Sequence, residues 1–106
     1  MPEHPLKIYE TVDPELYKLA MGTQKFALDE GTALPKKYKF LIAMALDASI
    51  GAAGGVTSLA GGAIRNGATK EEIAEALRVV QYICGTSTLY TAAQALRELF
   101  PPKPTV

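Results

Sequence analysis

The chain has 106 residues, 48% of them hydrophobic and 21% charged, a composition that supports one buried core and excludes a disordered polymer. Eleven basic residues balance eleven acidic ones, which leaves no electrostatic footprint for nucleic acid or an anionic membrane surface. A single cysteine excludes an intramolecular disulfide and any multi-cysteine metal site, and nothing in the composition calls for a metal or other cofactor.

The opening residues, MPEHPLKIYE, contain no apolar run, so no signal peptide is expected and a cytoplasmic location is the expectation. Residues 1–12 read as an N-terminal arm in which Pro2 and Pro5 prevent a regular helix start. His4, the lone histidine, lies in that arm and reads as solvated. Asp13-Pro14-Glu15 is a strong helix start: Asp accepts backbone N–H bonds, Pro suits the first helical position and Glu complements the positive helix end. Leu16, Leu19, Ala20, Thr23, Phe26 and Ala27 follow the three-four spacing of one buried face, and Gly31 is the natural C-cap. Gly22 weakens the helix by roughly 1 kcal/mol relative to Ala.

Pro35 opens the next helix with Lys36, Lys37 and Lys39 in its first turn, where cations oppose the helix dipole. That cluster is either a solvated turn or a docking point for acidic groups of a ligand or another subunit. From Phe40 the helix is apolar nearly all round, through Leu41, Ile42, Ala43, Met44, Ala45, Leu46 and Ala48, with Asp47 as the exception. A helix apolar on every face is buried on every face, either centrally or against a second subunit. Asp47 and the glycines that follow also interrupt the chain's longest low-charge stretch, which is too weakly apolar for a membrane span.

Ser49 to Gly55 is expected to break the helix, because Gly54-Gly55 has little intrinsic helicity. A second helix then runs to about Asn66, with Gly67 as C-cap, and its Ser58, Ala60, Gly61, Gly62 and Ala63 leave a bald surface for close helix packing. Thr69-Lys70-Glu71-Glu72 is a capping box that opens a helix with Ile73, Ala76, Leu77, Val80 and, with drift, Ile83 and Cys84 on its apolar face. Gly85-Thr86-Ser87 interrupts, and Leu89, Ala92, Ala93, Leu96 and Phe100 define a last helix that ends at Pro101-Pro102. No strand alternation appears. The expectation is an all-α domain over residues 13–100 with five or six helices, followed by a tail over 101–106.

The order helix, bend, helix, Gly-Ala-Thr, capped helix, Cys-Gly, helix resembles the carboxymuconolactone decarboxylase superfamily, which includes the AhpD-like alkylhydroperoxidases. The matching text is Leu34-Pro35-Lys36 with Leu41-Ile42-Ala43, then Ala63 through Leu77, and then Tyr82-Ile83-Cys84-Gly85. The resemblance implies an AhpD-like helical fold and a homo-oligomer, often a trimer or hexamer. In the peroxidase branch it also implies a Glu, a C-x-x-C pair and a His one turn later, which together activate a thiol and resolve it as a disulfide. Counted back from Gly67, the His position falls on Leu59, the thiols on Ala52 and Gly55, and the Glu on Phe40. The decarboxylase branch is expected to keep the His, which is missing here as well. Side chains of these four types neither transfer protons, attack peroxide nor bind a metal.

Some residues still offer chemistry. Cys84 reads as a small buried apolar residue, or as a thiol without a resolving partner. Asp47, in the most apolar helix, must be exposed at the helix end, satisfied by a backbone cap or a neighbouring subunit's Lys, or ligand-facing. Gly54, Thr57 and Ser58 mark the expected start of the second helix, where free N–H groups and two hydroxyls suit a small anion. Tyr82 and Tyr90 flank Cys84 and are expected to line the same pocket or serve as core. Two functions follow: a non-redox small-molecule-binding or structural oligomer, and an active decarboxylase- or peroxidase-type enzyme rebuilt on Asp47, Ser58, Tyr82 or Cys84. The bald and apolar faces around Phe40–Gly62 call for self-association in either case.

Overall fold

The computed structural model describes residues 4–101, so Pro2 of the expected arm and the tail beyond Pro101 lie outside the described residues. A 3₁₀ turn, Pro5–Ile8, precedes six α-helices: α1 Tyr9–Val12, α2 Pro14–Leu28, α3 Lys36–Ser49, α4 Ala53–Arg65, α5 Lys70–Cys84 and α6 Ser87–Leu99. No strand occurs among the described residues, and the all-α expectation holds. The chain forms two compact units, divided between Ala33 and Leu34.

In the first unit, the expected absence of a helix start is corrected. Pro5 occupies the first position of the 3₁₀ turn, where its missing N–H costs nothing, and His4 caps that turn by accepting the Leu6 N–H on Nδ1 at 3.1 Å. The ring is therefore engaged rather than merely solvated, with Nε2 3.2 Å from Gln24 Oε1. Asp13 caps α2 as expected, its Oδ1 accepting the Leu16 N–H at 3.1 Å. The first unit by itself does not bury the apolar face of α2, however. Leu16, Leu19 and Phe26 are exposed, because within this unit only the four-residue α1 packs against α2.

The second unit holds the core. α3 and α4 make the most extensive pairing, α4 packs on α6, and α5 packs on α3 and α6. Leu41, Met44 and Ala48 of α3 meet Val56, Ala60 and Ala63 of α4, with Ile73, Leu77 and Val80 of α5 and Ala92 and Ala95 of α6 completing the cluster. Burying each of the larger side chains contributes about 1.5–3 kcal/mol before the entropy of ordering is set against it. Of the small residues of α4, Ala60, Gly61, Gly62 and Ala63 are buried as the pattern implies, whereas Ser58 is exposed. Gly61 is buried, and a Cβ there would lie 4.0 Å from Leu99 Cδ2 of α6.

Three expectations are corrected here. The bend is only Ile50–Ala52, and Gly54 and Gly55 lie in the first turn of α4. Packing of α4 on two helices outweighs the low helicity of that pair. Second, α3 is not buried all round, since Ile42 and Leu46 remain exposed. Third, the stripe of α5 does not continue inward to its end, and Ile83 and Cys84 are exposed. No helix among the described residues is long and apolar enough to cross a membrane.

Candidate functional site

Two places bring candidate residues together, and they are separate. The first is the bend between α3 and α4. Ala52 is the N-cap of α4, Gly55 is in its first turn, and Leu59 lies one turn further on, packed against the core. Helix N-terminal positions such as these would favour a thiolate, but the residues present carry no ionisable group. An acid reaches the bend from α3. The half-buried Asp47 carboxylate occupies the space over Gly55, so that a Cβ at Gly55 would overlap its Oδ2 and lie 2.8 Å from its Cγ. Any side chain at position 55 would have to displace it.

Phe40 is also built into the packing. Its ring fills the notch left by Gly62, where an added Cβ would overlap the ring edge and come within 3.1 Å of Cζ. The half-buried ring rests on the core cluster. The position that the resemblance assigns to a proton-carrying Glu therefore serves helix–helix contact.

Thr57 and Ser58 do not present free N–H groups. α4 begins at Ala53, so both sit a full turn inside the helix, where backbone N–H groups belong to the helical ladder. The Thr57 hydroxyl donates to Ala53 O at 3.3 Å, and Ser58 is exposed. Gly54 is exposed, with nothing within 4 Å of an added Cβ. The earlier helix start moves the orphan donors from Thr57 and Ser58 to the turn over which Asp47 already lies.

The second place is a groove between α3 and α5, with a volume of about 540 Å³. Ile42, Leu46, Val79 and Ile83 form its walls and Leu41 and Val80 its floor, while Tyr38, Ser49 and Cys84 supply the few polar atoms. Cys84 lines this groove and is exposed, which corrects the buried reading. Tyr82 and Tyr90 do not join it. They are 82% and 81% exposed and belong to neither the groove lining nor the core. The i+2 step from Tyr82 to Cys84 turns the two side chains to different faces of α5, a signal available in the spacing itself.

The basic turn at the start of α3 finds part of its partner within the chain. Lys37 Nζ lies 3.0 Å from Glu72 Oε2 and 4.9 Å from the centroid of the Tyr38 ring. Glu72 closes the capping box with its other oxygen, accepting the Thr69 N–H at 2.9 Å while Thr69 Oγ1 accepts the Glu72 N–H at 3.1 Å. The Thr69 N–H, followed by the Lys37 ammonium, holds the Glu72 carboxyl below its ordinary range. The hydrogen bond to Glu72 raises Lys37. Among the described residues no group of three or more His, Cys, Asp or Glu side chains is placed to hold a metal ion.

The family model of the carboxymuconolactone decarboxylase family matches residues 14–98. No curated protein and no solved structure matches the chain.

Proposed function

The chain belongs to the carboxymuconolactone decarboxylase family, and we propose that it keeps the family's scaffold as a non-redox, self-associating protein rather than as a peroxidase or decarboxylase. The observation that carries this reading is the state of the bend. Phe40, Ala52, Gly55 and Leu59 supply no group that attacks peroxide or shuttles a proton, and Phe40 is committed to the Gly62 notch. The family's two-thiol relay also needs a resolving cysteine, and Cys84 is the chain's only cysteine. Cys84 sits in the α3/α5 groove, with Asp47 outside that lining.

Self-association is supported by the apolar residues left uncovered on α3 and α5. Capture of a small anion at Gly54–Ser58 is less well supported, because the Asp47 carboxylate over Gly55 would meet it as a like charge. Peroxide turnover with a dithiol reductant is the direct test. The expected result is no turnover above the uncatalysed rate. Robust turnover that Cys84→Ser abolishes would establish a rebuilt peroxidase and overturn the reading.

A further inference from the structure

We infer that a recess between the start of α5 and the end of α6 binds a small amphipathic monocarboxylate, with Arg97 and Lys70 at its charged head and Leu96 and Phe100 under its apolar body. The recess has a volume of about 280 Å³ and is lined by Lys70 and Ala74 of α5 and by Leu96, Arg97 and Phe100 at the end of α6. It shares no lining residue with the α3/α5 groove among those described. The short turn Gly85-Thr86 joins α5 to α6, and the two helices pack together, which returns the end of α6 to the start of α5. Leu96 and Phe100, one turn apart, are half-buried and rest on the core cluster, so the floor is fixed. Ala74, one turn beyond Lys70, leaves an opening that a longer side chain would close.

Helix stability does not explain Lys70. It is the first residue of α5, where a cation opposes the helix dipole, and the capping box of Thr69 and Glu72 makes no use of its side chain. Neither the Lys70 nor the Arg97 side chain has an ion-pair or hydrogen-bond partner among the described residues. No acid lines the recess among those residues either. Glu98, next to Arg97 in the chain, accepts from Gln94 Nε2 at 3.3 Å, and Glu72 is taken by Lys37 and the Thr69 N–H. Two unpaired cations over an apolar floor complement an anion that carries an apolar body. An arginine fork takes both oxygens of a carboxylate, and a lysine adds a point charge. An inorganic anion would leave Leu96 and Phe100 wet, and a neutral apolar molecule would leave both charges unanswered. At ~30 Å³ for a water-sized group the recess holds roughly nine, the size of a medium-chain fatty acid rather than of a drug-sized ligand.

Isothermal titration of octanoate into the full chain tests the site, with octanol as the neutral control and sulfate as the control for charge alone. The expected dissociation constant is on the order of 1 mM, as for other ligands of so few atoms, and added salt should weaken it. Arg97→Met should weaken binding at least ~10-fold and Lys70→Met about 3-fold, because a charge-assisted fork contributes more than an exposed point charge. Ala74→Leu keeps both charges and should abolish binding by filling the recess. All three side chains are exposed, so helical circular dichroism of each variant should match that of the parent. Absence of octanoate binding up to about 10 mM overturns the inference. So does octanol or sulfate binding as tightly as octanoate, or an octanoate affinity indifferent to Arg97→Met and Ala74→Leu, which would place the ligand in the α3/α5 groove. The site needs neither self-association nor the absence of peroxide turnover, so these outcomes stand whichever way the proposed function is decided.

Discussion

Gly62→Ala should destabilise the fold even though alanine is the better helix former. In a helix interior the exchange is intrinsically worth up to about 1 kcal/mol in favour of Ala. Here the added methyl enters the Phe40 ring, whose edge it overlaps and whose Cζ lies at 3.1 Å. The ring is rigid and rests on the core, so relief requires α3 and α4 to separate along their most extensive contact. Overpacking of this kind costs ~1–3 kcal/mol, and the upper end is expected because no flexible side-chain end can give way. The net loss is then about 2 kcal/mol, on the order of 10 °C in Tm for a domain of this size. Urea unfolding followed by helical circular dichroism, at one fixed protein concentration, reads it directly.

Two neighbours calibrate the result. Gly54→Ala meets nothing within 4 Å and should be neutral or stabilising. Gly55→Ala meets the Asp47 carboxylate, the end of a half-buried side chain that can swing toward water, and should fall between the two. Phe40→Ala should reverse the sign at Gly62, so that Gly62→Ala becomes favourable, a coupling of about 3 kcal/mol. Gly62→Ala as stable as the parent, with Phe40 intact, would refute the notch.

Thr69→Ala removes the hydroxyl that accepts the Glu72 N–H and should cost ~0.5–2 kcal/mol, measured by the same unfolding curves. The acid limb of stability should depend on Glu72. Its folded pKa lies below its unfolded value, so its contribution is full above the ordinary value of 4.5 and is lost as pH falls through the folded value. Glu72→Gln should flatten that limb in a pH series of melting temperatures. Lys37 has the opposite sign. Its contribution is full below 10.5 and is lost as pH rises through the raised folded value, so Lys37→Met should flatten the alkaline limb.

The elements that local chemistry specifies were legible in the sequence. Asp13-Pro14 and Thr69-x-x-Glu72 cap the helices they announce, because a capping side chain and its N–H partner lie three residues apart in one chain. The bend was legible in place but not in length. Helix propensity places Gly54-Gly55 outside α4, whereas packing on α3 and α6 draws the pair inside. Burial at the end of α5, and of α2 within its own unit, differs from the pattern for another reason. A three-four stripe shows that a face wants cover, and nothing in the stripe says whether the same chain provides it. The contacts of Phe40 with Gly62 and Asp47 with Gly55 were invisible, since a glycine in sequence does not reveal which side chain needs its space.

The Asp47–Gly55 contact bears most directly on what chemistry the bend can support. Ala52 and Gly55 occupy the N-cap and first turn of α4, where unpaired N–H groups lower a thiol pKa. Installing thiols with Ala52→Cys and Gly55→Cys, in a Cys84→Ser background, should nevertheless give a poorly activated pair. The Asp47 carboxylate occupies the space that the new Cβ at position 55 needs, and its negative charge opposes the thiolate that the helix end favours. Adding Asp47→Ala removes both obstacles. The pH profile of iodoacetamide alkylation should then shift downward by about one unit, the minimum expected from losing a like charge at contact distance. The pair should also oxidise more readily to a disulfide once position 55 is free to adopt its geometry. An unchanged alkylation profile would mean that the carboxylate does not sit over position 55. A downward shift would identify Asp47 as a barrier to thiol chemistry at this bend.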